Sequence, residues 1–241
     1  VEQTLADYTT AGTPASVTRI WGQNQYDTAA AISADTFEPG VPVVYVATGQ
    51  HFPDALAGGA VAARDGAPVI LVGQSLIPDG SLAELGRLAP QNIILLGGRE
   101  AVNPDVATHL GNLTSGSVTR IWGQDAYETA IEVSLEAYPE GADVVYLATG
   151  GTFPDALAVA PVAGARSGPV LLLPPDGTVP PNVAAEIERL DPERGVILGG
   201  ELAITAGQYD SVRALFTVAP APADREAFMN SEPDTPWANT G

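Results

Sequence analysis

The chain contains no lysine and no cysteine; all ten of its basic residues are arginines. Without lysine there is neither a P-loop nor Schiff-base chemistry. Without cysteine there is no thiolate nucleophile, no disulfide and no Cys-ligated zinc or iron–sulfur centre. Positive charge is scarce altogether, since 29 acidic residues leave a formal charge of −19 over 241 residues. That balance argues against nucleic acid as a partner, because neutralising phosphates needs a basic face. No apolar run approaches the roughly 20 residues that span a bilayer, so the chain is expected not to be membrane-embedded. It begins at Val1 with no initiator methionine and no signal-like segment, so an export signal is expected to be cleaved or never present. The GxSxG, HExxH, GxGxxG, Asp-x-Asp and EF-hand patterns are missing as well, and no catalysis is expected.

What is present is a 45% apolar composition, enough to bury a core, and it is written twice. VTRIWGQ starts at Val17 and again at Val118, VVYVATG at Val43 returns as VVYLATG at Val144, and FPDALA at Phe52 returns at Phe153. All three share an offset of 101 residues; LLGG at Leu95 and ILGG at Ile197 are 102 apart, one residue having been gained near Pro174 and Pro175. The repetition defines two tandem modules, residues 17–115 and 118–216, each of ordinary domain size. Residues 1–16 read as a linker and 217–241 as a Pro-rich extended tail.

Within each module short β-branched runs alternate with longer alanine-rich stretches. In the first, Val17–Trp21, Val43–Ala47, Pro68–Val72 and Asn92–Leu96 predict strands; Tyr26–Phe37, Pro53–Arg64, Ser81–Leu88 and Pro104–Leu110 predict helices. Nearly continuous apolar strands alternating with helices predict an α/β fold, each module a mostly parallel four-stranded sheet flanked by helices. Pro53 and Pro154 open their helices, and Asp54 and Asp155 follow them in the first turn. The FPDALA helix is small-residue on every face, which predicts a central helix pressed close to the sheet.

Ligands in open α/β sheets bind at the carboxyl ends of the strands. The residues expected there are Gly22 and Gln23, Thr48 and Gly49, and Gly97 and Gly98, with counterparts Gly123 and Gln124, Thr149 and Gly150, and Gly199 and Gly200. Glycine lets backbone amides approach an anion, and it equally serves a tight turn. Asp54 and Asp155 are either helix caps or ligand contacts. Arg19 and Arg120 interrupt apolar strands, and a buried arginine needs a partner, either a carboxylate such as Asp54 or a bound anion. Tyr26, Thr28, Tyr127 and Thr129 open the first helix of each module, where they either cap and pack or offer hydroxyls to a sugar. Trp21 and Trp122 end the first strand as core residues or as sugar platforms. His51 aligns with Thr152, and His109 has no histidine counterpart, so neither belongs to a shared function.

Taken in order, RIWGQNQYDTA, ATGQHFPDALA, APVILVG and LLGG, then RIWGQDAYETA, ATGGTFPDALA, GPVLLLP and ILGG resemble the cell wall-binding repeat family, type 2. The resemblance covers about four-fifths of the chain. It implies Rossmann-like or Toprim-like modules that anchor an exported, cell-wall-associated protein noncovalently to an anionic envelope polysaccharide. By this likeness the polymer-binding positions are Arg19, Tyr26, Thr28 and Asp54, then Arg120, Tyr127, Thr129 and Asp155, beside the strand-end residues Gln23, Thr48, Gln124 and Thr149. The family pattern has arginine before the tyrosine where this chain has Gln25 and Ala126. It also usually has three copies packed with pseudo-threefold symmetry where this chain has two, which implies a homo-oligomer or a fused partner domain. No cofactor is expected, although the chain's own negative field calls for a bridging divalent cation or a locally basic groove. The alternative expectation is an assembly module of a surface-layer-type protein, whose motif residues form structural contacts between domains.

Overall fold

A computed structural model describes residues 17–50, 53–152 and 154–216; the expected linker and tail, with His51, Phe52 and Phe153, lie outside them. The chain runs α1 (Gln25–Thr36), β1 (Val43–Thr48), α2 (Pro53–Asp65), β2 (Val69–Val72), α3 (Asp79–Leu88), β3 (Asn92–Leu96), α4 (Pro104–Gly111) and β4 (Val118–Ile121). It continues with α5 (Ala126–Ala137), β5 (Val144–Thr149), α6 (Pro154–Ala165), β6 (Val170–Leu173), α7 (Pro181–Leu190), β7 (Arg194–Ile197) and α8 (Ala206–Ala214). Among the described residues every strand pairing is parallel, and the strands form two sheets, ordered β2-β1-β3-β4 and β6-β5-β7.

The α/β architecture is the expected one, with two differences. Val17–Trp21 is not a strand; it is exposed and outside both sheets. The matching segment of the second repeat, β4, is a strand, but it pairs with β3 of the first repeat, placing Ile93 opposite Val118 and Leu96 opposite Ile121. A strand exists only where an edge accepts its amides and carbonyls. For VTRI that edge belongs to the preceding repeat, and among the described residues Val17–Trp21 has no such repeat before it. Among the described residues the second sheet has three strands.

Period-two alternation sorts β1 between two cores. Val44 and Val46 face a cluster with Ile70, Val72, Leu85, Leu88, Ile93 and Leu95, while Tyr45 and Ala47 face the larger cluster that joins the two repeats. Both faces of the first sheet are thus covered, as a parallel sheet requires. At the centre lie α2 and α6, the two PDALA helices, and their small residues let the backbones approach. A Cβ on Gly164 would stand 2.6 Å from the Ala63 Cβ and 2.7 Å from the Ala60 carbonyl oxygen. Gly58 serves the other side of α2, its missing Cβ leaving room for the Leu96 side chain of β3. Arg64, at the end of α2, adds a polar strut: its guanidinium donates to the Ala137 carbonyl at the end of α5 and lies 4.9 Å over the Tyr138 ring.

Caps and one duplicated ion pair fix the remaining helices. Asn24 and Asp125 each accept an amide hydrogen bond in the first turn of α1 and α5, from Asp27 at 2.9 Å and Glu128 at 2.8 Å. The buried carboxylates of Glu84 and Glu186 take the hydroxyls of Ser33 and Ser134 and the guanidinium groups of Arg87 and Arg189. These pairs tie α3 to α1 and α7 to α5. Burial alone would raise the Glu84 pKa, but the Arg87 and Ser33 hydrogen bonds outweigh it and hold the carboxyl below its ordinary value.

Candidate functional site

Because all the strands of a sheet run in parallel, their carboxyl ends share one rim. At the first sheet that rim carries Thr48 at the end of β1 with Gly49 next to it, Gly97 and Gly98 after β3, and Trp122 and Gly123 after β4. Tyr26, near the start of α1, packs against Gly49, whose Cβ, if present, would lie 2.5 Å from the Tyr26 ring. Asp54, in the first turn of α2, points its carboxylate at Gly97: a Cβ there would stand 2.6 Å from Oδ2. Gly97 has φ +97°, and both its backbone angle and its close approach to Asp54 require glycine.

Arg120 meets the same turn from β4. Its guanidinium donates to the carbonyl oxygens of Gly97 (2.8 Å), Gly98 (2.9 Å) and Val102 (2.9 Å). The expected carboxylate partner is thus replaced, for Arg120, by three carbonyls of a turn in the other repeat. Burial, and then the neighbouring Arg99 guanidinium, push the Arg120 pKa down from its ordinary value. Arg99 is exposed on the Gly97–Gly98 turn, and Trp122 is 49% exposed with its ring 3.3 Å from where a Gly98 Cβ would be. In a chain of charge −19, this turn sets two guanidiniums and an open indole beside the Asp54 carboxylate, groups that can meet an anionic sugar through charge and ring face.

The threonines are occupied within the chain. Thr28 and Thr129 each accept the amide of Gly22 or Gly123, at 3.0 and 3.1 Å, fixing the approach to α1 and α5. Thr48 and Thr149 are buried, and each accepts an amide two residues on, from Gln50 and Gly151 at 3.2 Å. Gln23 and Gln124 are exposed at the helix starts, and the Gln124 amide donates to Glu128. The second rim repeats the first: Tyr127 packs on Gly150, and Asp155 Oδ2 lies 2.7 Å from where a Gly199 Cβ would be. Burial, with Asp125 and Asp176 nearby, raises the Tyr127 pKa. Arg19 lies in the exposed 17–21 segment, outside both sheets.

Arg99 went unnoticed in the sequence because it is not duplicated; Glu201 stands at its counterpart. A single arginine on a glycine turn gives no signal until Arg120 is seen beside it. Among the described residues no group of three or more histidines or carboxylates could hold a metal ion, and no helix is long and apolar enough to cross a membrane.

Residues 19–107 and 120–208 each match the family described as Cell wall binding domain 2 (CWB2). The chain belongs to this family. Family membership associates it with the cell wall, outside the cell. Similar proteins include the amidase enhancer of Bacillus subtilis, 26% identical over 217 residues, covering 89% of this chain and 29% of that protein. N-acetylmuramoyl-L-alanine amidase LytC of the same organism is 30% identical over 156 residues, covering 65% of this chain and 31% of LytC. Among solved structures, Cwp6 from Clostridium difficile superposes with a TM-score of 0.76 at 23% identity, covering 86% of this chain and 34% of that one. Cwp8 from the same organism gives 0.71 at 22%, covering 80% and 33%. The CWB2 chain described here therefore spans about a third or less of each of these relatives, and the two structures share its fold.

Proposed function

We propose that this CWB2 chain holds an adjoining domain at the cell wall by binding an anionic envelope polysaccharide, and that it performs no chemistry of its own. The observation that carries the proposal is the match of both repeats to a cell wall binding family. The first rim supplies the chemistry: Arg99 and Arg120 for phosphate or carboxylate, Trp122 for the face of a sugar ring, and the amides of the Gly97–Gly98 turn. Tyr26, Asp54, Tyr127 and Asp155 frame the two rims, and a divalent cation bridges polymer and protein where their negative charges meet. Two sites on one chain raise avidity, since binding at the first makes the second intramolecular.

Sedimentation with purified cell walls tests this reading. Retention is expected to weaken with salt, as exposed charge pairs are screened, and to fall in Arg99→Ala and Trp122→Ala chains. Lack of retention over the full range of calcium and salt would rule it out. A second reading has one observation in its favour: Arg120 spends three N–H groups on carbonyls of the other repeat, so this motif arginine also joins the repeats.

A further inference from the structure

The first sheet borrows its fourth strand from the second repeat, and the second sheet shows where it would borrow one in turn. In β3 the amides of Ile93 and Gly97 donate outward to Ser117 and Ile121. In β7 the amides of Arg194 and Leu198 donate inward to Asp143 and Leu147, so period-two alternation turns those of Gly195, Ile197 and Gly199 outward. Among the described residues no strand pairs with that edge. The sequence that fits it is present once more in the chain: VTRIWG from Val17 is identical to VTRIWG from Val118.

We propose that Val17–Trp21 of one copy adds to the β7 edge of a second copy as its fourth parallel strand, joining chains head to tail. Transferring the β3–β4 register places Val17 opposite Gly195, Thr18 opposite Val196, Arg19 opposite Ile197 and Ile20 opposite Leu198. The receiving turn is already formed, with Gly199 at φ +95° against +97° for Gly97. Nothing lies within 4 Å of where a Gly200 Cβ would be, whereas Trp122 fills that space at Gly98; in the joint, Trp21 fills it. The incoming segment is exposed in the single chain, Ile20 at 38% and Trp21 at 66%, while Ile121, seated in its sheet, is at 9%. Phe216 lies against Gly195 where a side chain would stand, so it packs on the sheet's face and not in the outward hydrogen-bonding direction. In the joint Arg19 reaches the carbonyls of Gly199, Gly200 and Ile204, as Arg120 reaches those of Gly97, Gly98 and Val102. Such a contact uses different surfaces on the two partners, and it grows rings or filaments according to its rotation. The joint stands independently of what the rims bind.

Light scattering on the eluting chain, over a wide dilution series, tests the joint. The intact chain is expected to associate reversibly. Thr18→Pro, placed outside every described helix and strand, removes an amide that the alternation aims at β7. Ile197→Pro removes an outward donor and leaves the inward ladder intact. Each should weaken association by about tenfold or more, the cost of one lost strand hydrogen bond and its unpaired partner. An equimolar mixture of the two variants keeps one good edge and one good strand, so it should form one-to-one dimers and stop there. An intact chain that stays monomeric throughout would overturn the proposal and assign the edge to another occupant, such as a further repeat in a longer polypeptide. Association unchanged by either proline, or a mixture that does not pair, would overturn it too.

Discussion

Replacing Arg120 by alanine tests whether the two repeats are held together at the rim of the first sheet. The guanidinium makes three hydrogen bonds of 2.8–2.9 Å to the carbonyls of Gly97, Gly98 and Val102. A hydrogen bond to a charged group is worth about 1.5–3 kcal/mol net when well sheltered. Arg120 is half-buried, so water can re-solvate part of what the substitution exposes, and the three bonds do not add in full. The expected loss is about 2–4 kcal/mol of unfolding free energy. Lysine should rescue little, because one ammonium on a flexible stem cannot span three carbonyls as the planar fork does. Arg19 provides the internal control: it holds the same repeat position but lies in the exposed segment, so Arg19→Ala should cost no more than about 1 kcal/mol. The assay is urea unfolding at a dilution where the chain is single. Equal effects at the two positions, or an Arg120→Ala loss below about 0.5 kcal/mol, would refute the argument that β4 and its arginine clamp the first sheet.

Two further outcomes follow from packing and from charge. Gly164→Ala should destabilise by about 1–3 kcal/mol, since its Cβ would press on Ala63 and the Ala60 carbonyl between α2 and α6. Gly86→Ala, in the interior of α3 with nothing within 4 Å of the new Cβ, should stabilise by about 0.5–1 kcal/mol; thermal melts of the two variants check both signs. The lowered Glu84 pKa contributes stability that is fully present above the ordinary carboxylate value of about 4.3 and is lost as pH falls through the lower folded value. Glu84→Gln should therefore flatten the acid limb of a stability–pH curve, and an unchanged limb would remove the carboxyl from that account.

Much of this fold was legible because the chain repeats itself. β3 was placed residue for residue, β1 and β2 within one residue, and the helices within two at either end, since apolar period and proline position report local structure directly. Val17–Trp21 failed because a strand's existence depends on an edge, and the edge that VTRI takes lies about 25 residues earlier in the chain. Sequence identity between the copies showed that the two segments were alike without showing what either one touches. The rim was legible in outline: Asp54 and Arg120 do meet the Gly97–Gly98 turn, and Tyr26 packs on Gly49 at the end of the neighbouring strand. What the threonines do there was not, because capping and ligand binding ask for the same hydroxyl. The arginine pair was hidden for a different reason, since Arg99 and Arg120 come from different repeats and meet only after β4 crosses over.

Trp122 offers the most direct measurement of the wall-binding claim. A chain carrying Trp21→Phe and Trp237→Phe keeps one indole, on the rim itself, whose fluorescence can be followed while purified anionic wall polysaccharide is added. The account predicts a saturable change that weakens with salt and is lost in the Arg99→Ala chain. Retention by whole walls with no response at Trp122 would place polymer binding elsewhere and contradict the rim as the site.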